Sequence, residues 1–320
     1  MNLEKLCKSI DKNYNAYCEG LYELNKIINM YFQMKLRSTP KAQEYLLKER
    51  DINARIREKY ELGYGGKLYS DELLKFLMKN GYSLKELLEV GIFKLSDKTG
   101  KYFCTMQERI TFPIKDYYGN IVGFNGRYIG EKAGIPKYIN SNSTILFNKK
   151  RNLYGEEFVV IGDPVIIVEG CMDVIAMKES GFVNTVATLG TALTSEHVYE
   201  IQTLSDDVII FYDNDKAGKM ACERAVNLFK NSEINVFIAK SNYYKDPDEI
   251  RKHEGNEGLE AAIDSAVGEF YYYIERELSK NTPIKKIAEK LYKRYNECSP
   301  KKREALSKQL KEYYERSVDE

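Results

Sequence analysis

Acidic residues follow short apolar runs at several points in the second half of this 320-residue chain. Glu169 comes directly after the run Pro164-Val-Ile-Ile-Val168, and Asp213 and Asp215 follow the run Val208-Ile-Ile-Phe-Tyr212. Short, continuous runs rich in β-branched residues are typical of strands that are buried on both faces. A third acidic group lies in a polar segment beyond a further apolar run at 234–239, and it consists of Asp246 and Asp248.

Helical patterns separate these predicted strands. They cover 172–180, the segment after Thr194 and 216–230, and another short strand is predicted at 184–187. Strands that alternate with helices predict an α/β fold with a parallel sheet and right-handed crossovers. Ligands of such sheets bind beyond the carboxyl ends of the strands. We therefore expect five acidic residues to converge on one edge of the sheet: Glu169, Asp213, Asp215, Asp246 and Asp248.

Carboxylates that are held close together repel one another unless a cation lies between them. Hard oxygen ligands with no nearby His or Cys favour Mg²⁺ or Mn²⁺, which complete their coordination with water and substrate phosphates. The predicted chemistry is phosphoryl or nucleotidyl transfer. Asp173 is a further candidate ligand, with the alternative that it only favours the dipole of its helix. For Asp246-Pro-Asp-Glu249 the alternative is a turn that caps a helix.

The formal net charge of +1 hides an uneven distribution along the chain. The segment 101–155 has nine Lys or Arg and three Asp or Glu, whereas the segment 161–250 has seven and fifteen. Such a distribution suits a polyanion bound by the basic region and metal ions bound by the acidic one. The alternative is that these charges simply lie on solvated faces.

Cysteine and histidine give no local pattern for a zinc site. The chain has two His, and its six Cys form no Cys-x-x-Cys pair, so buried thiols are the better prediction. No apolar run has the length of a membrane span, and the start lacks a secretory signal pattern. These features predict a cytoplasmic protein without disulfides and without a membrane contact.

Other motifs that share parts of this pattern fit less well. Asp213 to Gly218 opens like a calcium-binding EF-hand loop, but position 12 of that loop would be Arg224 instead of Glu. Phosphatases with an aspartyl nucleophile also carry Asp-x-Asp after a strand, but after the first strand of their domain, and here it follows the third. Gly123 and Gly126 lack the three-glycine spacing of a dinucleotide-binding loop.

Four segments around the acidic residues resemble the TOPRIM domain of bacterial DnaG-type primases: Val168–Asp173, Ala187–Thr191, Tyr212–Gly218 and Asp246–Glu249. Upstream, the segments 109–114, 119–127, 136–140 and 147–155 resemble the basic N-terminal subdomain of the primase core. The resemblance implies that residues of this subdomain bind template and nucleotide. These are Arg109, Arg127, Lys137, Asn140 and Lys149.

The resemblance also implies a three-part architecture of the α/β class. An α+β N-terminal subdomain is expected at 1–157, a TOPRIM parallel-sheet α/β centre at 158–265 and a helical subdomain at 266–320. Within 266–320, helices are predicted to start near Phe270, at Thr282-Pro283 and at Ser299-Pro300.

The implied function is that of a DNA primase core, which makes short RNA primers on single-stranded DNA from nucleoside triphosphates during replication. Mg²⁺ or Mn²⁺ would be held by Asp213, Asp215 and Asp246 or Asp248, with Asp173 as a further candidate, and Glu169 would be a ligand or a general base. Primases also carry a zinc module and a module that docks the replicative helicase, and both are expected to be absent from this chain. It would be an excised core or a reduced phage or plasmid primase, acting at the replication fork in the nucleoid.

Two alternatives from other classes remain open at this point. A TOPRIM nuclease would share the carboxylates and would degrade DNA with metal alone. A non-catalytic module that binds single-stranded DNA would keep the basic surface and would be indifferent to loss of the carboxylates.

Overall fold

The computed structural model describes the backbone of residues 3–190, 192–241 and 243–319, and the side chains of 13–311 within those ranges. The chain forms two compact units, one that ends at Asn152 and one that begins at Leu153. In the part of the chain that is described, no helix has both the length and the apolar character needed to cross a membrane. The three-part division expected at 157/158 and 265/266 stays a prediction.

Helices make up the first part of the first unit. Five α-helices precede or flank its strands, and a π-helical turn at Tyr45–Glu49 follows the second of them. Thr39 precedes the second helix and Pro40 is its first residue, because the fixed φ of proline suits that position. The helices are α1 (Leu3–Arg37), α2 (Pro40–Glu44), α3 (Ala54–Lys59), α4 (Glu72–Lys79) and α5 (Leu84–Glu89).

The strands of the first unit form an antiparallel sheet and a short hairpin. The strands are β1 (Gly63–Tyr64), β2 (Phe93–Leu95), β3 (Tyr102–Cys104), β4 (Arg109–Lys115), β5 (Ile121–Tyr128) and β6 (Tyr138–Asn140). The sheet has the order β1-β4-β5-β6, and β2 pairs with β3. Strands β4 and β5, which contain the segment 109–114 and most of 119–127, pair antiparallel. Helix α1 packs on this sheet through Phe32, whose ring lies 5.4 Å from that of Phe124.

A mostly parallel five-stranded sheet lies at the centre of the second unit. Its strands are β7 (Val165–Val168), β8 (Thr185–Ala187), β9 (Asp207–Ile210), β10 (Asn235–Ile238) and β11 (Val267–Gly268). The order is β11-β10-β9-β7-β8, with only the β10–β11 pair antiparallel. Alternate residues such as Val165, Ile167, Val208 and Ile210 are fully buried, because helices cover the sheet. The predicted parallel-sheet α/β centre is confirmed.

The helices of the second unit occur in the predicted order, with one additional helix. They are α6 (Cys171–Glu179), α7 (Ser195–Leu204), α8 (Lys216–Leu228), α9 (Pro247–Asp264), α10 (Glu269–Ser279), α11 (Ile284–Glu297) and α12 (Pro300–Asp319). Thr194 caps α7, and its hydroxyl accepts the His197 backbone N–H at 3.2 Å. Helix α11 begins just after Pro283, which is its N-cap residue.

Helix α9 was not predicted, because its sequence lacks a clear helical pattern of apolar residues. The segment is rich in charge and contains Gly255 and Gly258, which are poor helix formers. Gly255 has φ 69°, so the helix is interrupted by a kink at that residue. The start of α9 was nevertheless visible, since Asp246-Pro247 has both a cap residue and a first-turn proline.

A buried ion triad connects the C-terminal helices of the second unit to its sheet. The Glu269 carboxylate, which is 1% exposed, lies 2.7 Å from Arg294 Nη2 and 2.6 Å from Lys302 Nζ. Lys302 is also 1% exposed and donates to the carbonyl of Ile234, next to β10. Three charged groups in an apolar surrounding stabilise the fold only as a complete set.

Glu269→Gln removes the anion of the triad and leaves two cations buried without neutralisation. We expect the free energy of unfolding to fall by about 3–5 kcal/mol, measured by urea denaturation. The matched control is Glu275→Gln, also on α10, where the lost ion pair with Lys240 is solvent-exposed. That change should cost less than about 1 kcal/mol. Equal losses in the two variants would contradict the role of the triad.

Candidate functional site

The strand order reverses at one point of the parallel sheet. From β7 the chain passes to β8 on one side, and then returns to place β9 on the other side of β7. In open α/β sheets the crevice beyond the carboxyl ends of two such strands is the usual ligand site. Glu169 directly follows β7 and Asp213 comes three residues after the end of β9, so both lie at this switch point.

Glu169 and Asp213 are held close by the backbone. The Asp213 N–H donates to Glu169 Oε1 at 3.1 Å. Gly218, in the first turn of α8, makes this approach possible, because a Cβ there would lie 2.1 Å from the Asp213 carbonyl oxygen and 2.9 Å from Glu169 Oε1. Only glycine lets the helix start this close to the two acidic residues.

Asp215 is the N-cap residue of α8. Its Oδ1 accepts the backbone N–H groups of Ala217 and Gly218, each at 2.9 Å. These hydrogen bonds, with that from Gly218 the stronger influence, hold the pKa of Asp215 below its usual range. Asp215 is therefore ionised, and one of its two oxygens is committed to the helix.

Like Asp215, Asp246 is the N-cap residue of a helix, in this case α9. Its Oδ1 accepts the Glu249 N–H at 2.9 Å, so the interpretation of this segment as a helix cap is correct. Burial, and then the charges of neighbouring carboxylates that include Asp213 and Asp248, raise the pKa of Asp246. Asp248 is 8% exposed and forms ion pairs with Arg251 at 3.3 Å and Lys252 at 2.5 Å.

Asp173 lies in the first turn of α6 and is surrounded by the other carboxylates. Burial raises its pKa well above the usual value, and the charges of Asp246, Asp213, Asp248 and Glu169 raise it further. The structure thus brings the six predicted acidic residues together. We call this set the acidic edge: Glu169, Asp173, Asp213, Asp215, Asp246 and Asp248.

A lysine supplies positive charge within the acidic edge. Lys245 Nζ lies 2.9 Å from Asp213 Oδ2 and 3.7 Å from Asp215 Oδ2. The hydrogen bond to Asp213 and the charges of the neighbouring aspartates raise the pKa of Lys245. Among the described residues, no three His, Cys, Asp or Glu side chains form a ready-made metal site. Oxygen-only donors with crowded charge suit a hard divalent cation, and several of these oxygens are engaged by Lys245 and by helix caps.

Two of the predicted basic residues in the first unit are buried. Arg109 is 3% exposed, and its Nη1 donates to the carbonyls of Gly126 at 3.1 Å and Pro136 at 2.9 Å. Arg127 is 7% exposed and lies between the rings of Tyr45 and Tyr138, at 5.6 and 5.2 Å from their centroids. Both guanidinium groups hold the local structure in place.

The remaining predicted residues of the first unit are more accessible. Lys137 and Lys149 are exposed, and Lys137 directly follows the carbonyl that Arg109 binds. Asn140, on β6, is partly buried, and its Oδ1 accepts from Asn125 Nδ2 at 2.8 Å. Of the five residues predicted to bind nucleic acid or nucleotide, only the two lysines are exposed.

The roles of three features were not predicted from the sequence: Lys245, Gly218 and the tyrosines around Arg127. Gly218 ends the segment Tyr212–Gly218, and its position in the first turn of a predicted helix was the available signal. Lys245 was visible next to Asp246, but a single lysine beside acidic residues is more often a solvated charge. The segment Ala187–Thr191 was also singled out, and its last residue lies outside the described residues.

Comparison with known proteins follows the division into two units. Residues 31–159 match the family model described as DNA primase catalytic core, N-terminal domain, and residues 166–251 match a Toprim-like model. A Toprim-like domain implies divalent-metal binding in general. The DNA primase of Clostridium acetobutylicum is 37% identical over 83% of this chain, which covers 44% of that protein. The chain spans about half the length of such curated relatives.

Two solved primase structures are similar to this chain in fold, and each is matched over most of its length. A DNA primase domain from Pseudomonas aeruginosa has a TM-score of 0.73 and 32% identity, with 81% of this chain and 83% of that domain covered. A DnaG primase catalytic domain bound to single-stranded DNA has a TM-score of 0.73 and 28% identity, with coverage of 83% and 84%. The chain belongs to the bacterial DnaG-type primase family and corresponds to the catalytic core of its members.

Proposed function

We propose that this chain synthesises short RNA primers on single-stranded DNA from nucleoside triphosphates by metal-dependent nucleotidyl transfer. The observation that carries this proposal is the acidic edge at the switch point of the sheet, in a chain of the primase family. A similar catalytic domain binds single-stranded DNA. This supports the same template here.

In the proposed mechanism, Asp213, Asp215, Asp246 or Asp248, and Asp173 would hold Mg²⁺ or Mn²⁺. Such ions lower the pKa of an attacking hydroxyl and neutralise charge on a triphosphate and its pyrophosphate leaving group. Glu169 either shares in this binding or accepts the proton of the 3′-hydroxyl. Burial, and then the charge of Asp213, raise the pKa of Glu169, which suits a general base better than an ordinary carboxylate would.

The exposed lysines of the first unit have a different proposed role. Lys137 and Lys149 would bind phosphates of the template or the nucleotide, without base specificity. Arg109 would act as a positioning residue, since its guanidinium fixes the carbonyl of Pro136 next to Lys137. Arg127, between two tyrosine rings, and Asn140 on β6 would complete the same surface.

The setting of the reaction is also a proposal. The chain would act in the cytoplasm of a bacterium, at the nucleoid, on replication forks of the chromosome, a phage or a plasmid. A replicative helicase and a zinc-bearing module are the partners that the family resemblance implies.

The primary test is primer synthesis on single-stranded DNA with labelled ribonucleotides and Mg²⁺ or Mn²⁺. Wild-type protein should produce oligoribonucleotides, and Asp213→Asn should lower the rate by at least about a hundredfold, because it removes a charged ligand of the proposed metal ion. The matched control is Asp163→Asn, which neutralises an exposed carboxylate near the opposite, amino-terminal end of β7 and should keep full activity.

Other outcomes of this assay would favour the alternatives. Metal-dependent DNA cleavage without oligoribonucleotides would identify a Toprim nuclease. DNA binding that is indifferent to Asp213→Asn, with neither synthesis nor cleavage, would identify a non-catalytic binding module. The primase relatives and structures support synthesis over both alternatives.

Asp173→Asn should stabilise the metal-free protein. The raised pKa of Asp173 means that its protonation stabilises the fold at low pH, and this contribution is lost as pH rises through that pKa. Asparagine stays neutral, so at neutral pH the melting temperature should rise by about 2–4 °C, for a gain of about 1 kcal/mol. Thermal melts in chelator from pH 5 to 8 measure this, and a variant that is less stable at pH 8 would contradict it.

Lys149→Ala should weaken single-stranded DNA binding in a salt-dependent way. A lysine on a phosphate releases counterions, so its loss should reduce the slope of log K against log salt concentration by about 0.7. Fluorescence anisotropy on two unrelated sequences measures the slope, and both should change equally. Lys98→Ala, another exposed lysine of the same unit, is the control and should leave the slope unchanged.

A further inference from the structure

Lys245 forms ion pairs with two carboxylates of the acidic edge. Its ammonium lies 2.9 Å from Asp213 Oδ2 and 3.7 Å from Asp215 Oδ2, so it bridges two of the proposed metal-binding carboxylates. The side chain of Asp213 is 16% exposed, whereas that of Lys245 is 50% exposed. The ammonium therefore lies on the more exposed side of Asp213.

The backbone holds Lys245 in this position. Its carbonyl accepts the N–H of Asn214, the residue between the two aspartates, at 2.7 Å. Its own N–H donates to Glu249 Oε2 at 3.0 Å, in the first turn of α9. The side-chain amide of Asn214 also donates to the carbonyl of Ser241 at 2.7 Å. The turn 213–215 and the loop before α9 are thus tied together, and the lysine is directed at the carboxylates.

We propose that Lys245 is a resident counterion that a divalent metal must displace from Asp213 and Asp215. The inference rests on the proposed function, in which these aspartates bind the metal. Lys245 acts as a positioning residue: it keeps the acidic edge folded without metal, and it limits the affinity for metal.

The Lys245 ammonium and a metal ion compete for the same carboxylate oxygen of Asp213. Mg²⁺ binds carboxylate oxygens at about 2.1 Å. An ion on Asp213 Oδ2 would therefore lie close to an ammonium that shares that oxygen. Two like charges at this separation repel strongly in a partly buried site. Lys245 is half exposed, so its long side chain can swing into solvent when the metal arrives.

The test is metal affinity measured by isothermal titration calorimetry with Mn²⁺ and with Mg²⁺, in the absence of DNA and nucleotide. Lys245→Gln should bind each ion at least about fivefold more tightly than wild type, because the competing ion pair is gone. The same variant in chelator should melt at a lower temperature than wild type, since the repulsion between the carboxylates is no longer offset.

Two further variants make the result specific to this position. Lys240→Gln removes the same charge from an ion pair with Glu275 of similar exposure, and it should bind metal as wild type does. Lys245→Arg keeps the charge and should restore the wild-type affinity to within about twofold. Tighter binding by Lys240→Gln equal to that of Lys245→Gln would reduce the effect to net charge and overturn the proposal.

Asp213→Asn separates this inference from the proposed function. Its loss of metal binding, together with an unchanged or weaker affinity in Lys245→Gln, would overturn the counterion role alone. Metal binding by Asp213→Asn as tight as in wild type would remove Asp213 from the metal site, and with it the basis of both proposals.

Discussion

Repulsion among carboxylates is the constraint on which the second unit depends. Six acidic side chains meet at the switch point of a parallel sheet, and burial together with their mutual charge raises the pKa of Glu169, Asp173 and Asp246. Folding must therefore offset this unfavourable charge before any ligand is bound. The structure does so with groups that are all close to the edge: helix N-termini, backbone N–H groups and the cationic side chains of Lys245, Arg251 and Lys252.

The groups that offset the negative charge are distributed unevenly among the six carboxylates. Helices α8 and α9 both begin at the acidic edge, so the positive ends of their dipoles and their first free N–H groups face Asp215 and Asp246. Lys245 balances Asp213, whereas Arg251 and Lys252 balance Asp248. Burial is the largest cause of the raised pKa of Glu169, Asp173 and Asp246, and the charges of neighbouring carboxylates add to it. These three carboxylates therefore have most to gain from a bound cation.

Much of this arrangement could be predicted from sequence, since it depends on local patterns. Buried strands can be recognised in the sequence as runs of β-branched residues. Acidic residues that follow two neighbouring parallel strands must lie at the same edge of the sheet. The interactions that depend on distant pairs could not be predicted in this way. The close approach of α8 to Glu169 depends on Gly218, and the position of Lys245 depends on a hydrogen bond from Asn214, more than 30 residues earlier in the chain. Burial of Arg109 and Arg127 was also hidden, because a basic residue on a strand gives no sign of whether its guanidinium turns outward or inward.

Asp215 and Asp246 each perform two tasks with a single carboxylate. One oxygen caps a helix, and the other remains for Lys245 or a ligand. Asparagine or serine would cap as well but would carry no charge, and glutamate would carry the charge on a side chain that is a poor cap. Aspartate alone meets both needs. A substitution at either position that lowers activity therefore tests folding and chemistry together, unless the replacement is asparagine, which keeps the cap and removes only the charge.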